Sequence, residues 1–150
     1  MSRPLSILRT WTSAQIAALG FGVWWIGNGI AVFVASPASL ATLSTSGQVR
    51  FLDTAIAVNG WHGLFHLLTG AVGIATCWSP RASNAYALSM GCIYTAAALL
   101  SLVTGGIVFG LIRVDELGSI DHALEGALLL LIWLDSAVSG RSRPRATSLG

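Results

Sequence analysis

His62 and His66 stand four residues apart, so on a helix their imidazoles share one face. Two histidines so placed can hold a metal ion, and a carboxylate from a facing helix can complete the site. Glu125 is the carboxylate whose position suits that role, which makes His62, His66 and Glu125 the candidate metal ligands. The same residues suit two other purposes. His66 and Glu125 could share a proton, or the group could be a hydrogen-bonded network that fixes helix register. Asn28, Asn59, Asp121 and His122 are expected at the same level and extend the group into a polar cluster, with Thr104 nearby. Haem would need histidines at matching depth on two helices. His122 is expected to sit too shallow to oppose His66, so haem is not favoured.

The elements that position these residues must be membrane helices. The chain has 150 residues, of which 54% are hydrophobic and 9% charged, against about 25% charged in soluble domains. Eight Arg, no Lys and six acidic residues cannot give a chain of this size a polar surface. An ordinary soluble fold is thereby excluded. So is disorder, which requires low hydrophobicity and high charge. A net charge of +2 gives no ground for a nucleic-acid partner. Cys77 and Cys92 lack metal-binding spacing and read as packing residues, as does Tyr94.

A membrane helix needs about 20 mostly apolar residues. Four stretches meet that need: about 11–34, 54–78, 85–112 and 120–138. The first is far longer than the roughly 7–15 apolar residues of a signal peptide. The last is the least apolar, with Asp121, Glu125 and Asp135 flanking its Leu-rich run. Strands are not expected, since the chain shows no clear alternation of polar and apolar residues. The expected fold is all-α, a single integral membrane domain built as an up-down bundle of four transmembrane helices. A basic, disordered tail is expected over 140–150.

Orientation follows from the arginines. Arg3, Arg9, Arg81, Arg141, Arg143 and Arg145 fall on one side, and Arg50 and Arg113 on the other. Both termini are therefore expected in the cytoplasm, and the protein in the plasma membrane as a multi-pass chain. This topology places the polar cluster in the outer half of the bundle. Ionisable residues in a membrane cost about 2.5–3.5 kcal/mol each, and they usually face inward, pair and serve a purpose. Small residues mark close helix contacts in lipid. Gly20, Gly27 and Gly29 in the first span, Gly63, Gly70 and Gly73 in the second, and Ser89, Gly91, Gly105, Gly106 and Gly110 in the third are the expected contact points. The two helical hairpins share a weak spacing similarity, His62 and His66 against Asp121 and Glu125, as an old duplication would leave.

Two motifs carry a resemblance. One is Asn59-x-x-His62-x-x-x-His66-Leu67-Leu68-x-Gly70. The other is Asp121-x-x-x-Glu125 followed by Gly126 and a Leu-rich run. Over about residues 11–134 the chain resembles a family of small four-helix integral membrane proteins, common in actinobacteria and defined as a domain of unknown function. The resemblance implies a fold and a membrane address, and no activity. In that family the polar position of the fourth span is often His, where this chain has Glu125.

Nothing in the sequence marks an enzyme: phosphate-loop and nucleophile-elbow motifs do not occur. The first expectation is an accessory or structural subunit, without cofactor, whose partners are the bilayer and other membrane subunits or further copies of itself. The alternative is a metal-, quinone- or proton-handling membrane protein, with a divalent metal at His62, His66 and Glu125.

Overall fold

The computed structural model describes residues 11–51 and 54–141. Four long helices alternate in direction: α1 (Ser13–Ala35), α3 (Gly60–Thr76), α4 (Pro80–Thr104) and α5 (Glu116–Arg141). A short helix, α2 (Ala38–Ala41), follows α1. Three helices are long and apolar enough to cross a membrane: α1, α4, and α5 over Glu116–Val138. Large apolar side chains such as Val23, Val34, Leu99, Leu102 and Leu131 point outward, the arrangement of a membrane protein rather than of one that faces water.

The all-α expectation needs correction. Strands β1 (Ser46–Phe51) and β2 (Thr54–Asn59) form an antiparallel hairpin, and β3 (Ile107–Val108) and β4 (Ile112–Arg113) form a second, smaller one. Both cap the same end of the bundle. The segment 54–59, expected as the start of a span, is strand β2. Ile56 and Val58 alternate with Ala55 and Ala57, so the period of two is disguised as a continuous apolar run. Val49 pairs with Ile56 across the hairpin, which places β-branched side chains on one face.

The third span also ends earlier than expected. Gly105, at φ 69°, terminates α4 in the left-handed conformation, and Gly106 follows at φ 89°. Phe109 and Gly110 then take φ 52° and 72°, both positive, as a type I′ turn requires. The N–H of Leu111 closes that turn on the carbonyl of Val108 at 3.1 Å.

Helix starts follow capping chemistry. Thr12 and Gln15 exchange hydrogen bonds in a capping box at the head of α1. Ser79 caps α4, with Pro80 as its first residue. At this end of the bundle Trp11 meets Trp78 edge to face, with ring centroids 5.6 Å apart.

The helices pack as two antiparallel pairs, α1 with α3 and α4 with α5, and α1 also bridges to α4 and α5. Glycine sets the closeness of both pairs. A Cβ on Gly70 would lie 2.7 Å from the Gly22 carbonyl oxygen, and one on Gly126 would lie 3.0 Å from the Gly91 carbonyl oxygen. Gly29, Gly63, Gly70, Gly73 and Gly91 stand at contacts as expected, whereas Gly20 and Gly27 face open space and Ser89 is exposed. Gly105, Gly106 and Gly110 lie beyond the end of α4 and serve its turns, where φ is positive, rather than a helix contact. The contact face of α1 runs through Gly22, Trp25, Gly29 and Val32. Gly20 and Gly27 lie outside its three- and four-residue steps. Between the pairs lies a core of Trp25, Tyr86, Ala87, Tyr94 and Leu129. The expected tail at 140–150 lies almost wholly outside the described residues.

Candidate metal centre

Asn59 begins the site. It caps α3 by accepting the His62 backbone N–H at 3.0 Å, and its Nδ2 donates to the Leu111 carbonyl at 2.7 Å. One amide side chain thus ties the first turn of α3 to the small hairpin. His62 and His66 follow on one face of α3, with stacked rings at a centroid distance of 4.7 Å and Nε2 atoms 2.9 Å apart. From α5, His122 brings its Nε2 to 3.3 Å from that of His62. All three histidines are buried. His122, set aside on the sequence as too shallow, has its ring centroid 5.5 Å from that of His66.

Each outward-facing ring nitrogen has its own partner. His62 Nδ1 lies 2.7 Å from the Arg113 carbonyl. A carbonyl only accepts, so His62 carries its proton on Nδ1. His122 Nδ1 lies 3.1 Å from Glu125 Oε2. Glu125 Oε1 accepts the indole N–H of Trp24 at 2.8 Å and of Trp25 at 2.9 Å. Where Glu125 Oε2 accepts from His122 Nδ1–H, the Nε2 atoms of both His62 and His122 present lone pairs inward, 3.3 Å apart.

His66 Nδ1 lies 3.0 Å from the Tyr94 hydroxyl, which lies 3.1 Å from Thr69 Oγ1. Thr69 donates to the Phe65 carbonyl at 2.9 Å. With Tyr94 donating to His66 Nδ1, His66 Nε2–H donates to His62 Nε2 at 2.9 Å. In the other tautomer His66 Nδ1–H donates through Tyr94 and Thr69 to that carbonyl, and its Nε2 is free to bind a cation.

Three imidazoles so arranged suit a metal ion. The ligand atoms of His62, His66 and His122 all lie within 4.8 Å of one another. Two nitrogens bound tetrahedrally at about 2.0–2.1 Å lie roughly 3.3–3.4 Å apart. The His62–His122 separation is 3.3 Å and the His62–His66 separation 2.9 Å, both within half an ångström of that spacing, and the third separation is at most 4.8 Å. A carbonyl, a phenol and a carboxylate on the outer nitrogens are the supports that fix the tautomer of metal-bound histidine. A second group, Asp121, His122 and Glu125, also brings its ligand atoms within 4.8 Å of one another.

The structure distributes the sequence-derived cluster as follows. His62, His66 and His122 converge. Asn59 supports them. Asn28 and Asp121 line a cavity against the three rings. Glu125 stands behind His122. The hydrogen bonds of His66 go to His62 and Tyr94, and those of Glu125 to the two indoles and His122. Thr104 is exposed and bonds its own helix at the Leu100 carbonyl.

Sequence reasoning missed Tyr94, Trp24, Trp25 and the Arg113 carbonyl. A Trp-Trp pair within an apolar span was a usable signal, because buried indole N–H groups need acceptors. The Arg113 carbonyl carries no signal in the residue type.

A family model for a domain of unknown function, DUF4383, matches residues 15–134. The chain belongs to this family. The matched region runs from α1 through most of α5 and includes every residue of the cluster. No curated protein and no solved structure matches the chain.

Proposed function

We propose that this DUF4383 chain is a four-span protein of the plasma membrane that binds one divalent transition metal at His62, His66 and His122. The observation that carries the reading is the convergence of three buried imidazoles, with Nε2 atoms 2.9 Å apart between His66 and His62 and 3.3 Å apart between His62 and His122. The Arg113 carbonyl and the Glu125 carboxyl engage the outer nitrogens of His62 and His122. A metal ion would take all three Nε2 lone pairs at once. Imidazole-only ligation suits zinc, copper, nickel, cobalt or iron rather than calcium or magnesium.

Two arguments support four spans. Helix α3 has 17 residues, about 26 Å of helix, close to a hydrocarbon core of about 30 Å, and it runs antiparallel between two longer helices. The excess of arginine at the end carrying the termini supports a cytoplasmic location for that end. The hairpin end and the metal site then face outward.

The test is metal analysis of the protein purified in mild detergent after exposure to zinc or cobalt(II). One ion per chain is expected, with His62→Ala, His66→Ala and His122→Ala each reducing it below one-tenth. Folded wild-type protein that retains no transition metal overturns the reading. The cluster would then be a register-fixing network, and the chain an accessory subunit whose partner co-purifies.

A further inference from the structure

The three rings have two unlike sides. On one side lies a cavity of about 50 Å³ that touches His62, His66 and His122 together. Its polar lining comes from Asn28 on α1 and Asp121 on α5. On the other side is a gap of about 10 Å³ against His62 and His122, walled by Phe65, Tyr94, Val108 and Val114. A water molecule needs roughly 10–15 Å³ of such space and two or more polar partners. The first cavity meets both requirements with room to spare. The second reaches only the lower bound of that space and is walled mainly by apolar side chains.

We infer that the metal site is open on the Asn28–Asp121 side, and that its fourth position takes an exchangeable water. The inference rests on the three-histidine reading above. A metal bound by three histidines is one ligand short of a tetrahedron. The cavity lining offers no fourth imidazole. Asp121 lies within reach of His122, with ligand atoms at most 4.8 Å apart, so it is placed to accept a hydrogen bond from a water on the metal. The Asn28 side-chain amide supplies a second polar contact from the opposite helix. The cavity walls contributed by Val32, Ile56 and Val58 are apolar and limit the ligand to a few atoms. A closed site would be structural. A site with one exchangeable position handles small molecules and activates its bound water by withdrawing charge from it.

The test uses full-length protein loaded with cobalt(II) in detergent. Loading of one cobalt per chain, lost in His122→Ala, is measured first and concerns only the three-histidine site. The electron paramagnetic resonance spectrum of the loaded protein is then compared in ordinary and oxygen-17-enriched water. Broadening of the cobalt signal by oxygen-17 is expected, as is its loss in Val58→Phe, whose ring fills the cavity. A loaded wild-type protein whose signal is unchanged by oxygen-17 overturns the open position and leaves the three-histidine site standing. The wild-type comparison decides the matter by itself if Val58→Phe does not fold.

Discussion

Tyr94 lies flat on Trp25, with ring centroids 4.1 Å apart and planes within 2°. Both residues are fully buried, and they belong to different helix pairs. Each turns its polar atom to a different part of the cluster: the Tyr94 hydroxyl to His66 and the Trp25 indole to Glu125. The stacked rings thus join packing between the two pairs to the orientation of the histidines.

Tyr94→Phe keeps the stack and removes the hydroxyl. A net hydrogen bond is worth about 0.5–1.5 kcal/mol, so thermal stability in detergent falls modestly. Cobalt affinity falls about 10–100-fold, as for other losses of an outer partner to a ligating histidine. Tyr94→Ala also removes the ring and costs about 3–5 kcal/mol. Equal metal affinity in wild type and Tyr94→Phe would show that the phenol does not orient His66.

Glu125→Leu leaves two indole N–H groups and His122 Nδ1 without their acceptor. Stranding the buried Trp25 indole and His122 Nδ1 costs about 1–3 kcal/mol each, and the half-exposed Trp24 less, so a large loss of stability is expected. In a double-mutant cycle, Glu125→Leu with His122→Leu should show a coupling of about 0.5–3 kcal/mol. The Glu125–His66 cycle should show less, because their hydrogen bonds go to different partners. Melting temperatures of the single and double variants provide the measurement, and a stronger Glu125–His66 coupling would contradict the geometry.

Glycine substitutions separate contact from composition. Gly70→Ala places a Cβ 2.7 Å from the Gly22 carbonyl oxygen and 2.8 Å from the Ile26 nitrogen. These are backbone atoms, so α1 and α3 must move apart and melting temperature should drop sharply. Gly20→Ala meets open space and gains up to about 1 kcal/mol of helix propensity. Similar melting temperatures for the two variants would remove the argument for close approach at Gly70.

Topology can be read by labelling single cysteines in a background lacking Cys77 and Cys92. Ser46→Cys sits on the exposed edge of β1. Ser148→Cys lies in the C-terminal segment, outside the described residues. A membrane-impermeant thiol reagent applied to intact cells should modify the first and spare the second. Modification of both would show that the number of crossings is odd or that one helix does not cross.

Much of this was legible because it depends on period and composition. The four apolar stretches, the one-face pairing of His62 and His66, and the contact role of Gly63 and Gly70 all follow from helical spacing. The strand Thr54–Asn59 was hidden because alanine fills its alternate positions and gives the period of two no polar partner. The end of α4 was hidden because Ile107, Val108 and Phe109 are as apolar as the helix before them, although Gly105 and Gly106 mark the break. His122 was placed too shallow because sequence gives depth along one helix and not the relative shift of two. The Arg113 carbonyl could not be foreseen at all, since any residue supplies that atom.

The order of the chain has a consequence for biosynthesis. His62 and His66 lie on α3, and His122 lies on α5, made two helices later. A nascent chain that has inserted α1 to α4 offers two imidazoles and no third. The Ala57 N–H on the large hairpin likewise waits for Asp115, which accepts it at 2.6 Å just before α5. On the three-histidine reading, metal capture therefore waits until α5 has been made and has docked against α3, so that a loaded molecule is one in which the two helices have met.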